Sequence, residues 1–349
     1  MSKGGSGNST VTMRDVAEAA GVSRMTVSRA LKDNSSISKE TRERILRIIR
    51  DMNYVPDQMA GSLSTKKSRF VAVLLPSLNN LHFALTVQAM TEGLADTGLQ
   101  ILLGHTNYSA ETEESVLEMM LRRRPELIVL SYDGHTDRTR SLLKDAAIPV
   151  IEIWEKPEQP LEHIVGFSNE DAAYEMTIAL IKRGYKDIIF LCEDEDQWTR
   201  GSARRKGFRR AMIEQDRDPD RILRSGNPPL DMETAATAVE PLLDQFPDAD
   251  CVFCVSDMAA FGLLSGLKKA GKRVPDDIAI AGFGNFEVSR FSSPSISTVK
   301  VDPWQIGLQT AYLTKHLLNS GESEADGIPG RDTHSLHIPT SLIFRESTR

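Results

Sequence analysis

From residue 69 onward, uninterrupted apolar runs alternate with amphipathic stretches of helical length. The runs are "RFVAVLLP", "LQILLGHT", "ELIVLSYDG" and "IPVIEIWE"; between them lie "HFALTVQAMTEGLADTG", "AETEESVLEMMLRRRP" and "DRTRSLLKDAA". A strand that is apolar on both faces must be covered on both, so the pattern dictates a parallel sheet between layers of helices. The alternation restarts near residue 171. Helix "DAAYEMTIALIKRG", strand "DIIFLC", helix "SARRKGFRRAMIEQ", a single helix over "METAATAVEPLLDQ", strand "DCVFCVS", helix "MAAFGLLSGLKKAG" and strand "DIAIAGFG" follow. The body is therefore expected to be two similar α/β lobes, with the chain crossing between them near residues 165–170.

A chain of 349 residues exceeds what one core normally holds, and its 40% apolar content suffices for several. The net charge of −7 conceals an asymmetry: residues 1–68 carry 12 Lys/Arg against 7 Asp/Glu, the remainder 30 against 42. A basic head on an acidic body suits a polyanion met by the head alone. "MSKGGSGNST" is polar and Gly/Ser-rich, so residues 1–10 read as a disordered tail and not as a signal peptide. No stretch of 18 apolar residues occurs, so no membrane span is expected and a cytoplasmic location is.

The head is all-α. Thr12 caps a short helix from Met13 to Ala20, with Val16 and Ala19/Ala20 as its small apolar face. Gly21 ends it with a tight turn and Val22 plugs the core beneath. Ser23 then caps "RMTVSRAL", whose Val27, Ala30 and Leu31 point inward. Small alanines let the two helices cross closely, as a helix-turn-helix requires. Burying Val27 turns Arg24, Met25, Ser28 and Arg29 outward, where the start of a recognition helix enters a major groove. Arg24 or Arg29 can donate to guanine, and Met25 can touch a thymine methyl. Thr12, Ser23, Thr26 and Ser28 suit phosphate contacts. A third helix begins after Ser38 and carries Ile45, Ile48, Ile49 and Met52 at helical spacing. "DQMAGSLSTKKSR" is too short to hold a helix alone, and Gly61 weakens it further. Leu63 beside basic residues suits a minor-groove wedge, or belongs to a plain linker.

Parallel sheets present ligand groups beyond the carboxyl ends of their strands. The candidates there are His82, Phe83, Ser131, Tyr132, Trp154, Ser256, Asp257, Gly284 and Asn285, joined by Arg204 in the helix after "EDEDQWTRGSA". An arginine can bind a carboxylate through two hydrogen bonds. No catalytic set accompanies them: Asp257 has no base partner, Ser131 lies outside GxSxG, and the histidines lack metal-site spacing. Neither nucleotide-binding fingerprint occurs, so no cofactor is expected. Cys192, Cys251 and Cys254 read as packed core thiols rather than a redox pair.

These motifs together resemble the LacI family of bacterial transcriptional repressors. "VTMRDVAEAAGVSRMTVSRAL", "SKETRERI", "NYVP" and a hinge ending in Leu63 carry the likeness in the head. "VPDDIAIAGFGN" and "SISTV" carry it in a periplasmic-binding-protein-like sensor. The resemblance implies a helix-turn-helix domain over residues 11–56, a hinge over 57–68, a two-lobed effector-binding and dimerisation core over 69–345 and a tail over 346–349. It implies that the chain crosses back near "STVKVD" into helix "PWQIGLQTAYLTKHLLN", and again around residues 325–335. It implies a homodimer on a pseudo-palindromic double-stranded DNA operator. Arg24, Met25 and Arg29 would read bases, Tyr54 would join the DNA contacts, and Leu63 would wedge the centre. No leucine-rich tetramer-forming tail follows "SLIFREST".

Two departures are informative. The hinge carries Asp57 and Gly61 where the family commonly has Asn and Arg, which weakens its ordering. The pocket has Trp154 and Gly284 at positions that hold aspartates in many sugar- and purine-sensing members, while Arg204 matches the effector-binding arginine. Removing fixed negative charge and keeping a cation suits an anionic ligand. With "IVGFSNEDAA", the combination resembles gluconate-operon repressors, which implies gluconate or a related sugar acid as inducer. A phosphorylated or neutral sugar, acting as corepressor, is the alternative within the family. A sugar-binding transport module or a sugar-acid enzyme is the alternative outside it, disfavoured by the head and by the missing base or metal set.

Overall fold

The computed structural model describes residues 11–31, 37–55, 68–131, 134–194, 200–320 and 333–349. The chain divides into two compact units, Met1–Lys67 and Ser68–Arg349. Leu63 and Tyr132 lie outside the described residues, as do residues 1–10 and, apart from Ser68, the expected hinge.

The first unit holds three helices, α1 (Met13–Ala20), α2 (Arg24–Ala30) and α3 (Lys39–Asp51). Thr12 and Asp15 form a reciprocal capping box at the start of α1. Gly21 then turns the chain at φ 63°, where an L side chain is strained, and Val22 donates to the Ala17 carbonyl at 3.0 Å. Ser23 caps α2 by accepting from the Thr26 amide at 3.2 Å. The core is small: Val16, Ala17, Ala20, Val27, Ala30, Ile45, Ile49 and Tyr54. Ala17, not Ala19, completes the apolar face of α1; at 3.6 residues per turn, residues 16, 17 and 20 share a side. Arg42 reaches from α3 to the Ala30 carbonyl at 3.1 Å, satisfying an acceptor that the end of α2 leaves open.

The second unit contains two six-stranded sheets. In the first lobe, β1 (Phe70–Leu75), β2 (Gln100–His105), β3 (Leu127–Leu130), β4 (Val150–Ile153) and β5 (His163–Gly166) are parallel. The helices α4 (Leu81–Gly93), α5 (Ala110–Leu121) and α6 (Asp137–Ala146) lie between them in sequence. The second lobe runs α7 (Asn169–Lys182), β6 (Ile188–Cys192), α8 (Arg200–Glu214) and β7 (Ile222–Arg224). It continues through α9 (Met232–Thr237), α10 (Val239–Gln245), β8 (Cys251–Cys254), α11 (Asp257–Lys269), β9 (Ala279–Gly284), α12 (Glu287–Phe291) and β10 (Ser297–Lys300). The chain returns to the first lobe as α13 (Pro303–Ser320), which packs on α4, and as β11 (Ser335–His337), which extends the sheet beside β5. It then crosses a third time to β12 (Ser341–Ile343), antiparallel to β10.

Three expectations change. The third crossing falls at residues 338–340, between β11 and β12, and not around 325–335. "METAATAVEPLLDQ" is two helices broken at Ala238, because Pro241 has no N–H to give the Thr237 carbonyl and its ring crowds that turn. Residues 346–349 are no free tail: Ser347 is buried and gives its hydroxyl to the Ile280 carbonyl, while Arg349 pairs with Asp276. His163 and His334, scattered in sequence, stack with ring centroids 5.4 Å apart, and His316 meets His334 edge-on. Among the described residues no histidine, cysteine or carboxylate group is arranged to hold a metal ion.

The strands are buried as their composition demands, with every residue of β3, β4, β6 and β8 out of solvent. Each such Val, Leu or Ile contributes about 1.5–3 kcal/mol of transfer free energy. All three cysteines are free and buried, and burial lifts the Cys251 and Cys254 thiols well above their usual range, which keeps them unreactive. No helix among the described residues is long and apolar enough to cross a membrane.

Candidate functional site

Two surfaces concentrate the residues singled out by sequence. On the head, Arg24, Met25 and Arg29 are exposed along α2, opposite buried Val27 and Ala30. Met25 is 64% exposed, unusual for so apolar a side chain, and Arg29 reaches its sulfur at 3.7 Å. Ser28 and Thr26 are half-buried beside them, and the Thr26 hydroxyl bonds that of Ser23 at 2.9 Å. Thr12 is exposed at the start of α1. Tyr54 departs from this group: it is buried in the head core, where its ring closes the end of α3 instead of facing outward.

The second surface is a cavity of about 510 Å³ between the lobes of the sensor unit, at the carboxyl ends of both sheets. His82, Phe83, Trp154, Arg204, Ser256 and Gly284 line it. The first lobe supplies an aromatic wall. The His82 ring stacks on Phe286 of the second lobe at 3.7 Å and lies 5.7 Å from the Trp154 ring. Burial and the nearby Arg204 push the His82 pKa down to about 3, so the imidazole is neutral at physiological pH. Trp154 holds a left-handed backbone at φ 76°, rare for a bulky residue, and its buried Nε1 has no hydrogen-bond partner among the described residues. Gly284 makes the stack possible: a Cβ there would lie 2.6 Å from the Phe286 ring and 3.2 Å from His82.

The second lobe supplies charge. The Arg204 guanidinium lies 3.7 Å over the Phe283 ring, donates from Nε to Asn169 Oδ1 at 2.8 Å and from Nη1 to the Val255 carbonyl at 2.7 Å. Burial, then repulsion by Arg200, lowers its pKa to about 10, so it stays a cation. Arg200, one turn earlier on α8, donates from Nη1 to the Ser131 carbonyl at 2.6 Å and thereby bridges the lobes. Glu193 also lines the cavity, and Asp231 and Glu287 stand exposed at its rim. The cleft is thus not free of carboxylates, as reading only positions 154 and 284 suggests.

Three of the strand-end residues are otherwise committed. The Ser131 hydroxyl donates to the Leu74 carbonyl at 3.2 Å, leaving only its backbone carbonyl to meet Arg200. Asn285 turns away and accepts from Arg345 at 2.6 Å. Asp257 accepts from the Phe286 amide at 2.7 Å and the Thr298 hydroxyl at 2.6 Å, pinning the loop that carries Phe286. Its burial raises its pKa to about 6. Ser256 lines the cavity but its hydroxyl caps α11, accepting from Ala259 at 3.2 Å. Sequence reasoning missed Arg200, Glu193, Tyr108 and Phe286. Arg200 was within reach, four residues before Arg204 on one helix face.

Comparison with known proteins fits both surfaces. Residues 12–57 match the model of bacterial regulatory proteins of the lacI family, and residues 177–348 match a periplasmic binding protein-like domain. The HTH-type transcriptional regulator GntR of Escherichia coli K12 is 32% identical over 287 residues, 82% of this chain and 86% of that protein. This chain belongs to the LacI family. The HTH-type regulator IdnR of the same organism is 32% identical over 309 residues, 88% of this regulator and 91% of the relative. A crystal structure of a LacI family transcriptional regulator from Silicibacter pomeroyi is 55% identical, with a TM-score of 0.75 over 80% of this chain and 99% of the other. The chain is therefore a DNA-binding transcriptional regulator related to GntR and IdnR, and its family is not a catalytic one.

Proposed function

We propose that this regulator is a homodimeric repressor whose operator affinity is lowered by a singly charged sugar acid such as gluconate. The observation that carries the reading is the Arg204 guanidinium inside the cleft: among the described residues that line the cavity, Arg200 and Arg204 stand on one wall with Glu193, while Asp231 and Glu287 are exposed at the rim. A guanidinium with part of its fork uncommitted suits a carboxylate better than a neutral sugar, and the carboxylates around it disfavour a phosphate dianion. Arg204 keeps Nη2 outside its two bonds to the protein. The aromatic wall of His82, Phe83 and Trp154 suits the C–H face of a polyol chain.

On the head, Arg24, Met25 and Arg29 read bases, while Thr12, Ser23, Thr26 and Ser28 position the helix against phosphates. One seven-residue helix covers only a few base pairs, so two heads on a pseudo-palindrome are needed for specific binding. Leu63 would wedge the operator centre when the hinges pair. Ligand and operator act against each other with one coupling factor, so operator binding weakens gluconate binding as much as gluconate weakens operator binding. Calorimetric titration of the full chain with gluconate, 6-phosphogluconate, glucose and ribose tests the reading. Gluconate is expected to bind, and Arg204→Ala to weaken it roughly 10- to 100-fold through loss of charge-assisted hydrogen bonds. Operator affinity without ligand should stay near wild type. Binding of neutral sugars only, or a normal gluconate response in Arg204→Ala, would refute it.

A further inference from the structure

Arg204 does not stand by itself. Its Nε donates at 2.8 Å to Oδ1 of Asn169, a fully buried residue that opens α7 just after the first crossing between lobes. The amide of Asn169 faces the other way: Nδ2 donates to Glu155 Oε2 at 2.8 Å and to the Trp154 carbonyl at 3.0 Å. Its backbone amide donates to Glu155 Oε1 at 3.2 Å. Glu155 follows β4 of the first lobe and is itself buried. One neutral side chain therefore has its acceptor committed to the second lobe's arginine and its donor committed to the first lobe's carboxylate. Asparagine is the residue type that offers both functions in so short a side chain.

The backbone around this relay is built for close approach. Trp154 at φ 76° redirects the chain so that Glu155 points toward the crossing. A Cβ at Gly166 would lie 2.9 Å from both the nitrogen and the carbonyl oxygen of Glu155, so only glycine lets the end of β5 pass there. Arg204 is polarised along the same line, since Glu155 and Glu193 both favour its charged form against burial.

We propose that Asn169 is a positioning residue that sets Arg204 for its anionic ligand through Glu155, tying the ligand-binding cation to the first crossing between the lobes. The inference rests on the proposed role of Arg204 in effector binding. It differs from a packing role in one respect: direction matters, since the carboxylate accepts from the amide and the amide accepts from the arginine.

Crystal structures and gluconate titrations of full-length Asn169→Ala, Asn169→Asp and the double variant Glu155→Gln/Asn169→Asp test it. Asn169→Asp places a carboxylate against Glu155 and should turn Arg204 away from its place over Phe283. The double variant reverses the donor, with the new amide at position 155 giving a hydrogen bond to the new carboxylate at position 169, and should bring Arg204 back. Gluconate affinity is expected to fall about 10-fold or more in both single variants and to recover to within about threefold in the double variant. Operator affinity without ligand should be unchanged throughout. An unmoved Arg204 in both single variants, or no recovery in the double variant, overturns the inference. If the wild type does not bind gluconate, the effector assignment fails, and the position of Arg204 in the variant structures still decides this inference.

Discussion

Gly207 offers a test in which two physical effects predict opposite signs. It lies within α8, where replacing glycine by alanine in an isolated helix stabilises by about 0.8–1.0 kcal/mol. In this fold, however, a Cβ at residue 207 would sit 2.0 Å from the Glu170 carbonyl oxygen and 2.9 Å from the Tyr174 amide. Both contacts are backbone of α7, which no side-chain rotation can move. Reaching an ordinary 3.4 Å contact requires the helices to part by roughly 1.4 Å along that line. Overpacking of this kind costs about 1–3 kcal/mol, and separating α7 from α8 also lengthens the Asn169–Arg204 bond. Gly207→Ala should therefore lower the melting temperature by roughly 2–5 °C, judged from an unfolding entropy of about 2.1 cal/mol/K per residue over the sensor unit. Differential scanning calorimetry of the full chain reads the shift, and gluconate titration reads the cleft. A variant as stable as wild type, or more stable, would show that propensity outweighs the contact and that the helix pair is not closely packed.

The recognition helix and one buried ion cluster yield further tests. Arg24→Ala should cost roughly 10- to 100-fold in affinity for the native operator and flatten discrimination at one base pair, measured by binding to a set of operator variants at fixed salt. An equal loss across all variants would move Arg24 to the phosphate-contacting group. His135 lies buried between Glu113 at 2.5 Å and Glu152 at 3.4 Å. Burial pulls its pKa down, but the hydrogen bonds to the two carboxylates win and raise it from 6.5 to about 9. The stability it brings is complete below pH 6.5 and is lost as pH climbs through about 9. Thermal melts of the wild type should fall across that window, while His135→Gln should be about 3–5 kcal/mol less stable near neutral pH and lack the alkaline decline. A parallel decline in both proteins would exclude His135 as its source.

How much was legible in sequence depended on whether a residue's role is local. The apolar strands were readable because burial on both faces leaves no polar residue in "FLC" or "CVFC". The turn at Gly21 and the caps at Thr12, Ser23 and Ser38 were readable because each is settled within four residues. β5, β11 and β12 were not: they are three or four residues long, and β11 carries Ser335 and His337 where an apolar run would be expected. In the cleft, strand-end logic found His82, Phe83, Trp154, Ser256 and Gly284 as lining residues, and the family resemblance added Arg204. It could not tell that Asn285 faces Arg345, sixty residues away in the chain. Nor could it reveal Asn169, whose part depends on the φ of Trp154 and on a glycine twelve residues beyond it.

The three passages of the chain between the lobes have a consequence for how the sensor comes into being. Neither lobe is a continuous piece of polypeptide: the first borrows α13 and β11 after the second is nearly complete, and the second waits for β12 and Ser347. On a ribosome the first sheet stays unfinished until β11 emerges and the second until β12 does, so a product terminated before β11 has two exposed edges and no intact half. Gene fragments encoding one lobe should yield insoluble material, and heat should dismantle both lobes in a single step.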